Sequence, residues 1–163
     1  MRLFLCSPHM LRKLSVMLPP FSDSMDTFVG GVAMATWSTL TEYVRSRYKI
    51  ADEKPGSIKL IFDVGDLRSQ VVILWRMSLL DGEEEWVQIE SPFGRLDSIN
   101  LRGAIDAMGK TVCGGIAAMG DLVTVRHSVP LLNLDINEFE RPLGLVTGTA
   151  DRLEQQFQGG DQF

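Results

Sequence analysis

The chain of 163 residues has only two cysteines, Cys6 and Cys113, and two histidines, His9 and His127. Two thiols far apart, with no C-x-x-C spacing, exclude a disulfide framework and the common zinc and dithiol redox sites. A reducing, cytoplasmic setting is expected, because small secreted domains generally lean on disulfides. No stretch approaches the ~18 consecutive apolar residues that a membrane-spanning helix needs. Positive charge is scarce as well: 16 Lys and Arg stand against 21 Asp and Glu, a net charge of -5. Without a basic stripe to follow a phosphate backbone, a nucleic-acid binder is excluded.

What is present is ordinary globular material, 45% hydrophobic and 23% charged, long enough for one domain with a single core. There is no internal repeat and no low-complexity tract. Leu3-Phe4-Leu5-Cys6 after Arg2 is too short for a secretory core, and Arg12 and Lys13 interrupt it. Pro8, Pro19 and Pro20, with Ser22, Asp23 and Ser24, break regular structure. Met34 stands directly before the first helix signal. Residues 1–35 are therefore read as an irregular N-terminal tail or a mis-assigned start, with enough Met and Leu to dock on a surface. Residues 36–163 are read as the folded domain.

Trp37, Leu40, Val44 and Tyr48 recur at helical spacing, with Thr36 or Ser38 as the N-cap. Asp52 to Gly56, with Pro55, breaks this helix. Ile58, Leu60 and Phe62 alternate as a half-buried strand. Gln70 to Leu79 is apolar on both sides, Val71, Ile73, Trp75 and Met77 on one and Val72 and Leu74 on the other. Such a strand is central, or covered on its second side by another chain. Asp81-Gly82 supplies turn chemistry, and Trp86 to Ser91 returns as a third antiparallel strand.

Leu101, Ile105, Met108, Val112, Ile116 and Met119 keep helical steps and predict a second helix capped by Asp97 or Ser98 and weakened by its glycines. Gly120-Asp121 ends it, and Leu122 to Ser128 forms a fourth strand. Asp135-Ile136-Asn137-Glu138 reads as a capping box, with Leu134 and Phe139 at staple positions. The stripe Ile136, Phe139, Leu143, Val146, Ala150, Leu153, Phe157 predicts a last helix, bent or restarted at Pro142 and stopped by Gly159-Gly160. The pattern predicts an α+β fold, helices against an antiparallel sheet.

No constellation for chemistry survives. His127, Ser128 and Asp135 have the residue types of a triad, but neighbouring side chains on a strand point to opposite faces. Asp81 to Glu85 lacks the pattern of a calcium loop and reads as a solvated hairpin tip. Gly109-Lys110-Thr111 lacks the upstream glycine of a phosphate loop, and neither Gly30-Gly31 nor Gly114-Gly115 has a dinucleotide-binding order. Asp63, Asp66, Glu85 and Glu90 read as surface acids. No catalytic residue, metal or cofactor is expected, and the chain is read as a non-enzyme.

What remains is surface. Trp75, Met77 and Trp86 beside a two-faced strand provide more apolar material than one sheet face requires. They either fill the core beneath the helices or form a dimer face or peptide groove.

Gly120-Asp121-Leu122-Val123-Thr124-Val125-Arg126-His127-Ser128-Val129-Pro130-Leu131, followed by Asn133-Leu134-Asp135-Ile136-Asn137-Glu138-Phe139, resembles the YbjN-like family. The ending Ala150-Asp151-Arg152-Leu153-Glu154 with Gly159-Gly160-Asp161 resembles its actinobacterial members. The resemblance covers residues 37–163, and the first thirty-six depart from it. Its fold is similar to that of class I type III secretion chaperones. The resemblance implies an order α-β-β-β-α-β-β-α, homodimerisation and binding of a protein or peptide partner. A further short strand is then needed near Ser128 to Leu132. A chaperone- or adaptor-like binding module is the leading expectation, with Val72, Leu74, Trp75, Met77, Trp86 and Arg126 as its candidate partner or dimer surface. A regulatory subunit of a signalling or metabolic complex is the alternative, and an unrecognised enzyme a more remote one.

Overall fold

The computed structural model describes residues 36–159 and 161–163. The tail of residues 1–35, with Cys6, His9 and Gly30-Gly31, lies outside the described residues, as does Gly160. The Thr36 hydroxyl accepts a hydrogen bond from the Thr39 amide while the Thr39 hydroxyl accepts from the Thr36 amide. This box, with Thr36 rather than Ser38 as cap, starts helix α1 (Trp37–Arg47), which buries Leu40, Thr41 and Val44.

Six strands follow, interrupted by one helix: β1 (Ile50–Lys54), β2 (Ser57–Gly65), β3 (Arg68–Leu79), β4 (Glu84–Arg95), α2 (Leu101–Met108), β5 (Gly115–Met119) and β6 (Leu122–Pro130). Helix α3 (Ile136–Phe157) closes the domain. The sheet is antiparallel throughout, in the order β1-β2-β3-β4-β6-β5. The α+β class read from the sequence is thus the observed one, with one strand more than the resemblance implies.

Four local expectations are corrected. The segment read as a breaker contains β1, whose Asp52-Glu53-Lys54 carry no apolar alternation; Gly56, at φ +84, makes the turn into β2. The helix expected over Leu101–Met119 stops at Met108, with Gly109 as C-cap, and residues 115–119 are strand β5. Gly114 sits at φ +90, a conformation no helix contains, so the apparent period through Ile116 and Met119 is accidental. The cap of α2 is Asn100, whose side chain accepts from the Gly103 amide, rather than Asp97 or Ser98. No separate strand lies at Ser128–Leu132: residues 128–130 prolong β6, and the additional strand is β5.

Direct cross-strand neighbours share a face, and the pairing assigns each side chain to one of two. Ile58, Leu60, Val72, Leu74, Val87, Ile89, Val123 and Val125 form the inner face and are almost wholly buried. Helix α3 lies across this face, over β4, β6, β3 and β2, presenting Phe139, Leu143, Val146, Ala150 and Leu153. Its capping box forms as the sequence predicts, and Pro142 interrupts one bond of the ladder without ending the helix. Helix α1 is clamped to α3: the Tyr43 and Tyr48 hydroxyls both donate to Oε1 of Glu140, and Tyr43 stands edge-on to Phe139. Residues 161–163 come back to β3, where the Val71 amide donates to the Phe163 carbonyl at 2.8 Å. Glu154 holds them, its Oε1 accepting from the Gln162 and Phe163 amides. Among the described residues no helix is long and apolar enough to cross a membrane.

Candidate binding face of the sheet

All three helices pack on the inner face, so among the described residues nothing covers the outer one. The pairing places Ile61 beside Val71, Met77 beside Trp86 and Trp86 beside Pro130, with Ile73 and Trp75 between them along β3. Ile61 is 52% exposed and Met77 39% exposed, while Val71, Ile73, Trp75 and Trp86 are half-buried. This is an apolar band running obliquely across four strands.

Beside the band lies a carboxylate that strand alternation alone makes look like a surface acid. Glu90, on the outer face of β4, is only 2% exposed. Its Oε1 accepts from Nε and a terminal guanidinium nitrogen of Arg126, at 3.1 and 2.7 Å, and from the Thr124 hydroxyl at 2.7 Å. Its Oε2 accepts from the Trp75 indole N–H at 3.0 Å. Arg126 also donates to the Ala118 carbonyl at 3.3 Å, so one guanidinium ties β4, β6 and β5 together. A buried carboxylate is tolerated only with such a set of donors. The consequence for the face is that the Trp75 indole is tied in place by its N–H bond to a carboxylate that is itself fixed by Arg126 and Thr124.

The sequence-predicted residues separate accordingly. Trp75, Met77, Trp86 and Arg126 share the outer face. Val72 and Leu74 do not: both are fully buried beneath the helices and cannot meet a partner. Their strand is central, and its second side faces outward rather than into the domain. Of the two readings of Trp75 and Trp86, the one that puts them in the core beneath the helices is therefore set aside. Glu90, classed with surface acids, is the residue the sequence reading missed. Its contact with Arg126 depends on β4 pairing with β6 across α2 and β5, and no local pattern announces that pairing.

The candidate chemistry is dispersed. His127 shares the inner face with Ile89, while Ser128 is on the outer face and Asp135 caps α3. Burial lowers the His127 pKa and raises that of the Cys113 thiol, which disfavours thiolate chemistry. Among the described residues no group of three or more His, Cys, Asp or Glu is placed to hold a metal. Glu85 is bound to Arg76 and to the Trp37 amide at the start of α1. An open cleft of about 630 Å³ lies between the end of β6 and α3, lined by Val129, Pro130, Leu132, Asn137 and Arg141. A second, of about 800 Å³, lies between α1 and the β1–β2 hairpin, and its Arg45 and Arg76 are already paired with Glu53 and Glu85. No family model matches the chain, and no curated protein matches it at a significant level.

Proposed function

We propose that this protein is a non-catalytic cytoplasmic module of the chaperone or adaptor kind, homodimeric, that binds an extended apolar segment of a partner protein on the outer face of its sheet. The observation that carries the reading is the uncovered band of Val71, Ile73, Trp75, Met77 and Trp86, its Trp75 tied in place by the buried Glu90. Exposed contiguous apolar surface is a mark of interaction sites. Trp and Met are the side chains that give large contact area and adaptability. A tryptophan already fixed by its own hydrogen bond loses little freedom on binding, which favours affinity. The resemblance to the YbjN-like family points to the same activity.

The test is a peptide array of extended, alternately apolar sequences, read with the wild-type protein, Trp75→Ala and Met77→Ser. The expected result is that both variants remain folded and lose most of the binding. Equal binding by wild type and both variants would remove the outer face from the proposal. Wild-type protein that retains no peptide would remove the function itself.

A further inference from the structure

Strands β3 and β4 separate before either of them ends. Their pairing stops at Ile73 and Glu90, while β4 continues along β6 as far as Arg95. Pro92, with no N–H to give to a ladder, stands where β4 leaves. The gap beside Ser69–Val71 of β3 is bridged by Gln70, whose amide donates to the Ser91 hydroxyl at 3.0 Å and to the Pro92 carbonyl at 2.7 Å. Its Oε1 is buried and has no hydrogen-bond partner among the described residues. Residues 161–163 lie along the same stretch of β3 and run in its direction. Asp161 Oδ1 accepts from the Ser69 amide at 3.2 Å, and the Phe163 carbonyl accepts from the Val71 amide at 2.8 Å. The Gln162 and Phe163 amides donate to Oε1 of Glu154, which is wholly buried and is held through Oε2 by Arg68. Asp161 and Gln162 are exposed, and Gly159, at φ +69, turns the chain out of α3. The tripeptide is thus held by hydrogen bonds and by little burial.

We propose that this slot is a recognition site for an extended Asp-x-Phe segment of a partner protein, and that residues 161–163 are a strap that fills it until such a segment displaces them. The demands of the slot are specific. A buried carboxylate needs donors, and Glu154 Oε1 takes two consecutive backbone amides, which only a chain without proline at those two places supplies. Ser69 offers its amide to a carboxylate and Val71 offers its own to a backbone carbonyl. This is strand addition, in which main-chain bonds give affinity and side-chain positions give selectivity. The strap shows one sequence that meets every demand: Asp161 binds, the Gln162 side chain is exposed and free to vary, and Phe163 is half-buried. Direction ties the slot to the outer face. Val71, Ile73 and Trp75 follow one another along β3, and α3 covers the inner face, so a segment continuing past its Phe leaves the slot toward the apolar band. A partner with Asp-x-Phe followed by alternately apolar residues engages both, and outcompetes the strap by the second contact. The inference deepens the proposed function and rests on it only in this last step.

The test uses the full chain, with a fluorescently labelled Gly-Gly-Asp-Gln-Phe peptide as the probe and anisotropy as the readout. Gln162→Pro removes one of the amides that Glu154 accepts and lies outside every helix and strand, so it loosens the strap alone. This variant is expected to bind the probe about ten-fold or more tighter than wild type, in which the tethered strap competes at high effective concentration. Asp161→Ala, which takes the acceptor from the Ser69 amide, is a second route to the open slot and should act in the same direction. The control peptide Gly-Gly-Asp-Pro-Phe, which lacks one of the two N–H groups, should not bind. Amide exchange at Ser69 and Val71 should quicken in Gln162→Pro and slow again when the probe is added. Failure of both variants to bind the probe, or equal binding of probe and control, overturns the inference. Trp75→Ala added to Gln162→Pro should leave binding of this short probe unchanged. A slot that binds the probe in a protein that retains no apolar peptide sinks the proposed function and leaves the slot standing; the converse result removes the slot alone.

Discussion

Arg126 places two N–H groups on a single carboxylate oxygen of Glu90, at 3.1 and 2.7 Å, on the side of the sheet that carries no helix. The two residues lie directly opposite on β4 and β6, strands separated in sequence by a helix and another strand. Removing Glu90 leaves the Trp75 indole N–H without its acceptor and takes from the Arg126 guanidinium and the Thr124 hydroxyl their shorter bonds, leaving each only a 3.3 Å bond to a β5 carbonyl. Glu90→Ala is expected to cost about 3–5 kcal/mol, the range for breaking a buried pair from one side. The double variant Glu90→Leu, Arg126→Met should recover much of that loss, because no unpaired charge remains. Urea unfolding of Glu90→Leu, Arg126→Met and their double variant gives the coupling. Strict additivity would mean that the pair does not act as a unit.

His127 gives the protein a pH dependence of predictable sign. Its ring lies on the inner face of β6 beside Ile89, and burial lowers its pKa from the ordinary imidazole value. The unfolded chain therefore binds a proton more readily than the folded one. The contribution to stability is complete above the ordinary imidazole pKa and is lost as pH falls through the lowered, folded value. Unfolding midpoints should drop on acidification through this window, and His127→Gln should flatten the drop. An imidazole that titrates in the folded protein at or above its unfolded value by NMR would contradict this.

The clamp of α1 on α3 makes an alkaline counterpart. Tyr43 and Tyr48 are the only two tyrosines of the chain, and both donate to Glu140. Burial comes first and the neighbouring carboxylate next in driving both phenol pKa values far upward. Each phenol thus contributes stability that is fully present below the ordinary tyrosine range and is lost as pH rises through the folded value. Absorbance at the phenolate band should stay flat well into alkali and then rise together with loss of helical circular dichroism. Tyr48→Phe is expected to cost about 1 kcal/mol, a net hydrogen bond. A smooth phenolate rise with the fold intact would show that the clamp is open in solution.

How much of this architecture is readable in the chain depends on the range of the interactions. Helix α3 is legible because its box, Asp135 with Glu138, its buried staple residues Leu134 and Phe139, and its apolar stripe all lie in one stretch. Strands β2 and β3 show their period because one face of each meets the core. Strand β1 is hidden because it is an edge whose residues are mostly exposed, and edges select charge rather than alternation. The outer-face band is half legible: Trp75, Met77 and Trp86 are conspicuous, but which side of β3 the helices take is decided by tertiary packing. Glu90 is illegible, since its meaning lies in a partner thirty-six positions away.

The misread helix supplies the last prediction, because two adjacent glycines there have different duties. Gly114 adopts φ +90, and a Cβ on it would stand 3.0 Å from Cγ1 of Val125 and 3.4 Å from the Arg126 carbonyl. Both the conformation and the space are denied to alanine. Gly115 has no positive φ, and a Cβ there would meet nothing within 4 Å. Gly114→Ala is therefore expected to destabilise the domain by about 1–3 kcal/mol, the cost of a strained backbone position. Gly115→Ala should be neutral or stabilising by up to about 1 kcal/mol through the unfolded chain. The measurement is thermal or urea unfolding of both variants, with amide exchange along β5 to localise the effect. A continuous helix through this stretch would penalise glycine at both positions and make both alanines stabilising. The opposite signs expected here follow only if the chain turns sharply at Gly114 to lay β5 against β6.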